Sequence, residues 1–196
     1  MKLEHGTPRE IEGESMRIIG RELEAMGIVL PAGCEAVVKR AIHTTADFDY
    51  ARNLRFTPGA VEAGVAALRA GTALVTDSIM ALSGVNRGAC EQLGVERFCY
   101  MADPQVAERA RAERTTRAAA AVDCWASEHP AGIFAVGNAP TALLRLAECM
   151  EAGKIRPAVV IGAPVGFVNV VESKEQIWSV CQTLGGPAIV AMGRKG

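Results

Sequence analysis

One short segment concentrates side chains that could move a proton beside a fixed positive charge. In residues 39–47 (KRAIHTTAD), Arg40 and His43 are three positions apart, so on a helix they project from neighbouring positions of one face. An imidazole gains and loses a proton near neutral pH, whereas a guanidinium stays charged and pairs with carboxylates. The pair suits proton transfer with an anionic ligand better than it suits zinc, which would add positive charge. The same spacing also fits a structural role, in which His43 ends a helix and packs its ring over apolar neighbours. The residues alone leave both interpretations open.

Ser15 is a second position with two interpretations. It lies on the stripe formed by Ile11, Ile18 and Ile19, at intervals of three and four residues. A serine on such a stripe is either packed in the core and bonded back to the helix carbonyls, or it points its hydroxyl into a pocket.

The other chemistry-bearing residues form no familiar motif. His5 and His129 flank predicted helix ends, where we expect solvated rings. The six cysteines are dispersed without CxxC or Cys/His spacing, which predicts small core residues in a reducing compartment and no metal site. The patterns GxGxxG, GxxxxGK[ST] and GxSxG do not occur, which disfavours dinucleotide enzymes, P-loop enzymes and α/β-hydrolases.

Composition sets broader limits. The chain has 196 residues, of which 49% are hydrophobic and 22% charged, with a formal net charge of −1. These values are typical of one soluble globular domain, and they provide no overall basic field for nucleic acid. No apolar run approaches the roughly 18 residues of a membrane span, and no leader pattern is visible. We therefore expect a cytoplasmic protein with no membrane partner.

Two helices are predicted before the first strand. Thr7-Pro8-Arg9-Glu10 combines a hydroxyl cap, a proline at the first helical position and a glutamate that can reach back, so a helix should run from there to about Ala25. A second helix should follow Pro31, because apolar residues recur at intervals of three and four from Cys34 to Ile42.

From residue 54 onward, short apolar runs alternate with helical patterns. The runs predict strands at Leu54–Phe56, Thr72–Thr76, Arg97–Tyr100, Gly132–Val136, Ala158–Ile161 and Ala188–Met192. The intervening helices should start near Pro58, Ser78, Thr115, Asn138 and Ser173. This alternation predicts a three-layer α/β/α architecture around a mostly parallel sheet.

Ligands of open α/β sheets bind beyond the carboxyl ends of the strands. Three predicted ends carry unusual residues, namely Thr76-Asp77, residues 137–141 (GNAPT) and residues 164–167 (PVGF). We expect Asn138 to cap the helix that follows, and the free N–H groups of that helix to offer a seat for a carboxylate.

Several stretches, taken together, resemble one known family. They are, in chain order, Ile11-Glu12 with Ser15, residues 40–50 (RAIHTTADFDY), Thr76-Asp77 with residues 80–84 (MALSG), residues 137–143 (GNAPTAL), residues 164–168 (PVGFV) with Glu172-Ser173-Lys174, and residues 193–196 (GRKG). The ordered set is similar to the precorrin-8X and cobalt-precorrin-8 methylmutases of cobalamin (vitamin B12) biosynthesis. It runs from about residue 8 to the last residue.

The resemblance implies a flavodoxin-like fold, a homodimer with active sites at the subunit interface, and isomerase activity. In such enzymes a methyl group migrates from C-11 to C-12 of a ring-contracted tetrapyrrole, which gives hydrogenobyrinate or its cobalt counterpart cobyrinate. The ligand is then a corrinoid polycarboxylate, and no organic cofactor and no resident metal are expected.

The resemblance also implies roles for particular residues. His43 is the proton donor and acceptor of a 1,5-sigmatropic shift, and Ser15 and Arg40 contact the substrate. We extend substrate binding to a larger set, which comprises Thr44, Asp77, Arg117, Asn138, Thr141, Gly166 and Phe167. Groups of this kind position a substrate rather than react with it.

Within the family, the forms HTTADFDY and GRKG favour the oxygen-independent branch, whose substrate already carries cobalt. Relatives continue beyond GRKG into a helix that we expect to be missing here. We expect a single domain over residues 1–196, with N-terminal helices at about 8–47 and an α/β core at about 53–196.

Two other function classes stay open at this point. A non-catalytic corrinoid carrier would bind the same ligand without changing its absorption spectrum. A nucleotide-binding flavodoxin-like protein is disfavoured by the absent phosphate loop and by having only two tryptophans and two tyrosines to stack a flavin.

Overall fold

The computed structural model describes residues 6–196, so His5 lies outside the described residues. The chain divides into two compact units, one that ends at Leu54 and one that comprises Arg55–Gly196. The boundary lies close to the predicted passage from N-terminal helices to the α/β core.

The first unit consists of three helices, α1 (Pro8–Ala25), α2 (Glu35–Thr45) and the short α3 (Tyr50–Asn53). Thr7 and Glu10 form the predicted capping box at the start of α1, and Pro8 occupies its first turn. The helix α2 ends at Thr45, and Ala46 caps it with a left-handed φ of 54°. Both predicted helices are confirmed.

The helices α1 and α2 pack against each other. Ile19 and Leu23 are the buried residues of α1, and Val38 and Ile42 are those of α2. Gly20 allows a close approach, because a Cβ at this position would lie 3.3 Å from Nζ of Lys39. Few buried side chains therefore fix the geometry of this pair.

The described residues form one six-stranded sheet. Its strands are β1 (Leu54–Phe56), β2 (Leu74–Thr76), β3 (Arg97–Phe98), β4 (Ile133–Val136), β5 (Val159–Gly162) and β6 (Ala188–Ala191). The spatial order is β1-β6-β5-β4-β2-β3, and the pairs from β2 to β6 are parallel. Without β1, this is the flavodoxin order 2-1-3-4-5, so the predicted fold class is confirmed.

Helices cover both faces of the sheet. They are α4 (Ala60–Arg69), α5 (Ile79–Gly84), α6 (Arg87–Leu93), α7 (Pro104–Ala112), α8 (Arg117–Glu128), α9 (Pro140–Glu151) and α10 (Val170–Leu184). Adjacent strand residues alternate between two cores: Val75 and Phe134 pack with residues of α8, α9 and α10, whereas Leu74 and Ile133 pack with residues of α4 and α6. This alternation is what three layers require.

Several element boundaries differ from the predictions. The third strand ends at Phe98, because residues 100–102 form a 3-10 turn. The helices α6 and α7 were not predicted, although Asp103-Pro104 repeats the cap-and-proline signal of Thr7-Pro8. The helix α10 begins at Val170, three residues before the predicted start.

The cysteines bear out the core interpretation for four positions. Cys34, Cys90, Cys149 and Cys181 are buried, whereas Cys99 and Cys124 are half-buried, and no disulfide joins any of these six residues. Among the described residues, none of the helices combines the length and the hydropathy needed to span a bilayer.

Leu146 tests the core under α9, where its side chain is fully buried. We expect Leu146→Ala to lower the free energy of unfolding by about 2–5 kcal/mol, because it removes buried methyl groups and leaves a cavity. The matched control is Leu184→Ala at the end of α10, where the leucine is 53% exposed. Urea unfolding should give a clearly lower midpoint for Leu146→Ala than for Leu184→Ala. Equal midpoints would contradict this description of the core.

Candidate active site

A cavity of about 1040 Å³ lies in the first unit. Its lining comes from α1, from the end of α2 and from the segment that follows α2, and it includes Ser15, His43 and Phe48. Ile11 and Ile18 also line it, and they are 55% and 40% exposed. The stripe of α1 that contains Ile11, Ser15 and Ile18 therefore lines this cavity. The volume lies at about the upper end of the roughly 300–1,000 Å³ that is usual for small-molecule sites.

Ser15 and His43 are joined by a hydrogen bond of 2.7 Å between Oγ and Nδ1. The residues lie 28 positions apart, on α1 and α2, and both are half-buried. The serine hydroxyl points at the imidazole, and both residues line the cavity. The hydroxyl of Ser15 is therefore not bonded back to the carbonyls of its own helix, and the proton-transfer role of His43 stays a prediction.

The serine hydroxyl suits a ring that changes protonation state. It can donate to Nδ1 of the neutral imidazole, which then carries its proton on Nε2, and it can accept from Nδ1–H of the imidazolium. Ser15 can therefore hold the ring in both states, and Nε2 is the nitrogen left for a ligand.

Arg40 forms an ion pair with Glu12, the residue three positions before Ser15 on α1. The hydrogen bond and the positive charge of Arg40 lower the pKa of the Glu12 carboxyl, and the charge of His43 adds to the lowering. Glu12 was not predicted as a site residue. The sequence feature that could have identified Glu12 is its spacing of three residues from Ser15, which places both side chains on one face of the helix.

Thr44 follows His43 and is exposed. Its hydroxyl donates to the carbonyl of Arg40 at 3.0 Å, an interaction within its own helix. The structure thus brings Ser15, Arg40, His43 and Thr44 into one region of the first unit.

The remaining predicted site residues belong to the second unit, at the carboxyl ends of neighbouring strands. Asp77 follows β2, Asn138 and Thr141 follow β4, and Gly166 and Phe167 follow β5. The sheet order places β2, β4 and β5 side by side, although β3 separates β2 from β4 in the sequence.

Asp77 binds the turn that follows β4. Its carboxylate accepts hydrogen bonds from the backbone N–H groups of Gly137, Asn138 and Ala139, at 2.9, 2.8 and 2.5 Å. The side chain is buried, with 1% of the residue exposed. In this structure Asp77 therefore positions the turn and is closed to a ligand.

One prediction about this turn is wrong. The helix α9 begins at Pro140 with Ala139 at the N-cap position, so Asn138 does not cap it. Of the N–H groups at the start of α9, that of Ala139 binds Asp77, and the seat for a ligand carboxylate stays a prediction. Asn138 itself is exposed, and its contact with substrate stays a prediction.

Arg117 and Thr141 lie near the start of two adjacent helices. Thr141 shares a hydrogen bond of 2.8 Å with Thr116, the cap of α8. Arg117 lines a hollow of about 390 Å³ together with Arg111 and Arg114. None of these three arginines forms an ion pair with another residue in the described part of the chain.

Gly166 and Phe167 form a protruding loop. Gly166 has a φ of 143°, a conformation that favours glycine, and its N–H donates to the carbonyl of Arg194 at 3.2 Å. Phe167 is 83% exposed, and the guanidinium of Arg194 lies 5.4 Å from its ring centroid. The loop thus presents an aromatic ring to solvent.

His129 is not simply solvated, as its position in the sequence suggested. It is half-buried, with its ring centroid 4.2 Å from that of Phe98. Tyr100 donates to Glu128 at 2.6 Å, so Nε2 of His129, 2.9 Å away, donates to the tyrosine oxygen. Burial and the hydrogen bond to Glu128 raise the pKa of Tyr100.

The described residues contain no cluster of three or more His, Cys, Asp or Glu side chains that could hold a metal ion. His43 in the lining of the large cavity offers a group for proton transfer, and Arg40 on the same helix offers one for ion pairing.

Comparison with known proteins identifies the family. The profile described as "CbiC: Precorrin-8X methylmutase" matches residues 10–196. The chain belongs to the precorrin-8X methylmutase family. This confirms the resemblance found in the sequence and places the chain among isomerases.

Individual relatives in the family are similar over most of their length. The cobalt-precorrin-8 methylmutase of Priestia megaterium is 41% identical over 96% of this chain and 81% of its own. That of Salmonella typhimurium is 42% identical over 96% of this chain and 88% of its own. A crystal structure of the Thermus thermophilus precorrin-8X methylmutase superposes with a TM-score of 0.83, at 40% identity, over 95% of this chain and 88% of the other.

Ser15→Ala tests the hydrogen bond that organises the site. We expect it to change the ¹⁵N chemical shift of Nδ1 in His43, because the ring loses its partner at 2.7 Å. The signals of His129, whose partner is Tyr100, should stay in place and serve as the internal reference. An unchanged His43 spectrum would show that the two side chains do not interact in solution.

Proposed function

We propose that the protein is a cobalt-precorrin-8 or precorrin-8X methylmutase, which moves a methyl group from C-11 to C-12 of the corrin precursor and yields cobyrinate or hydrogenobyrinate. The observation that carries the proposal is the Ser15–His43 pair in the wall of a cavity of about 1040 Å³. Family membership supplies the reaction class, and this pair supplies a group that can perform it.

The reaction is a rearrangement within one molecule. The bond between C-11 and the methyl group breaks while the bond to C-12 forms, so no atom is gained and no electron is transferred overall. The enzyme therefore needs no nucleophile, oxidant or organic cofactor. It must hold the macrocycle still and polarise its conjugated system.

His43 performs the second task. With Nδ1–H donating to Ser15, the imidazolium gives its Nε2 proton to a ring nitrogen of a metal-free substrate, becomes neutral imidazole, and recovers the proton after the methyl group has moved. The proton leaves Nε2 and returns to it, while the hydrogen bond between Nδ1–H and Ser15 holds the ring in place throughout.

Arg40 contributes to the first task. Its ion pair with Glu12 keeps the guanidinium on the helix face that also carries His43. A guanidinium has five N–H donors, so a substrate carboxylate can bind beside Glu12 or replace it. Among the other predicted contacts, Arg117 with Arg111 and Arg114 offers further positive charge to a polycarboxylate.

Cobalt-loaded and metal-free substrates make different demands on His43. In a metal-free ring the nitrogen lone pairs are open to protonation, whereas cobalt occupies them and itself withdraws electron density. The Priestia and Salmonella relatives are named for the cobalt form, and a Pseudomonas aeruginosa relative at 37% identity is named precorrin-8X methylmutase. Incubation with both substrates in parallel decides between them, and faster turnover of the metal-free form would contradict the preference for a cobalt-loaded substrate that the forms HTTADFDY and GRKG suggest.

The function classes that compete with this proposal are separable. A carrier would bind a corrinoid without converting it, and a change in the absorption spectrum of unrearranged substrate excludes that function. A nucleotide-binding flavodoxin-like function meets a specific obstacle, because Asp77 already binds the N–H groups of the turn after β4, at the switch point where such folds bind their ligand.

His43→Ala should lower turnover by about 10²–10⁴-fold while product binding is largely kept, because the variant loses the proton donor and little contact area. Initial rates give the turnover, and titration with the coloured product gives the Kd. His129→Ala removes an imidazole elsewhere and should retain activity. Turnover of His43→Ala at the rate of the unsubstituted protein would refute the proton-transfer role.

Arg40→Ala is the contrasting variant in the same assays. It should weaken product binding by roughly tenfold or more and reduce turnover at saturation much less, because it removes an ion pair rather than the acid. A loss confined to turnover would show that Arg40 acts on the reaction and not on binding.

We also propose that the protein works as a homodimer. Three large apolar side chains in the segments that follow β2 and β5 are mostly exposed to solvent. They are Phe167, Val168 and Met80, at 83%, 78% and 75%. Sedimentation equilibrium should give about twice the chain mass of 20.7 kDa. A single species at the monomer mass across micromolar concentrations would contradict the proposal.

A further inference from the structure

Lys174 is a lysine of α10 without any exposed surface. Its Nζ donates to the carbonyl of Gly193 at 2.9 Å and to that of Lys195 at 2.6 Å. Burying an ammonium group is costly unless its N–H groups find acceptors. Burial lowers the pKa of Lys174 to about 8, so the group still carries its charge at pH 7.

The two acceptors belong to alternate residues, so the chain after β6 curves around the ammonium. Gly193 supports the curve with a φ of 78°, where other residues are strained. Arg194 lies between the two acceptors and therefore has its backbone fixed on both sides.

Arg194 connects this curve to the loop after β5. Its carbonyl accepts the N–H of Gly166 at 3.2 Å, and its guanidinium lies over the Phe167 ring at 5.4 Å. A cation over an aromatic face is attracted by the ring quadrupole. One buried lysine is thus linked, through the chain on both sides of Arg194, to an exposed aromatic ring.

We propose that Lys174 is a positioning residue, which fixes Arg194 between two anchored carbonyls and thereby holds the Gly166–Phe167 loop in the conformation that receives the corrinoid. The inference rests on the proposed function for the identity of the ligand. The contacts themselves do not depend on it.

A lysine serves this purpose better than an apolar residue of the same length. An apolar side chain would fill the space but would leave two carbonyls without their donor. Because one nitrogen atom donates to both carbonyls, the ammonium group also holds the two carbonyls close to each other.

Lys174→Met tests the link without any ligand, because methionine keeps the length of the side chain and removes its donors. Amide exchange followed by NMR should show the Gly166 N–H exchanging about tenfold faster or more, since its acceptor is on Arg194. Lys154→Met, a substitution of an exposed lysine, is the matched control and should leave Gly166 unchanged. Unchanged exchange of Gly166 in Lys174→Met would overturn the proposal.

Lys174→Gln gives a second measure and a safeguard if the methionine variant does not fold. Its amide keeps N–H donors without the charge, so exchange of Gly166 should fall between that of the unsubstituted protein and that of Lys174→Met. If only Lys174→Gln folds, exchange equal to that of the unsubstituted protein would overturn the proposal.

Product titration completes the test. Lys174→Met should raise the Kd for the corrinoid about fivefold or more, in step with the faster exchange. Faster exchange with an unchanged Kd would overturn the positioning role. Failure of the unsubstituted protein to convert the corrinoid would instead refute the proposed function, while the exchange of Gly166 would still judge the role of Lys174 in holding the loop.

Discussion

The carboxylate of Asp77 joins the centre of the sheet to the turn that begins α9. It is buried after β2 and satisfies three backbone N–H groups after β4, which would otherwise be unpaired. The two strands are neighbours in the sheet, and the strand order reverses between them. A flavodoxin-like sheet leaves its ligand crevice at this point, and here a carboxylate of the protein itself holds the turn beside it.

In the first unit, the polar contacts of the candidate site lie on the helix pair α1 and α2. Each helix supplies one partner of the Ser15–His43 contact and one of the Glu12–Arg40 ion pair. Two polar contacts therefore align the same two helices, one that can exchange a proton and one that can bind a carboxylate. This division between reacting and positioning groups suits a rearrangement in which the substrate supplies every bond.

Local signals in the sequence predicted much of the fold. The cap at Thr7 predicted the start of α1. The short apolar runs between helical patterns predicted the first and last residues of all six strands to within two positions. Long-range polar contacts could not be predicted in this way. The expected cap at Asn138 failed because α9 begins one residue later than a cap at Asn138 requires, after a turn whose N–H groups are held by Asp77, about sixty positions earlier. Glu12 was missed because its partner Arg40 lies on another helix.

The sparse packing of α1 has a thermal consequence. Only Ile19 and Leu23 are buried along its 18 residues, whereas α9 buries six side chains in 12. Segments with few buried contacts open at a lower free-energy cost than the core. Heating should therefore inactivate the protein before the sheet melts, and the margin between the two temperatures would report how firmly one helix is attached to its neighbour.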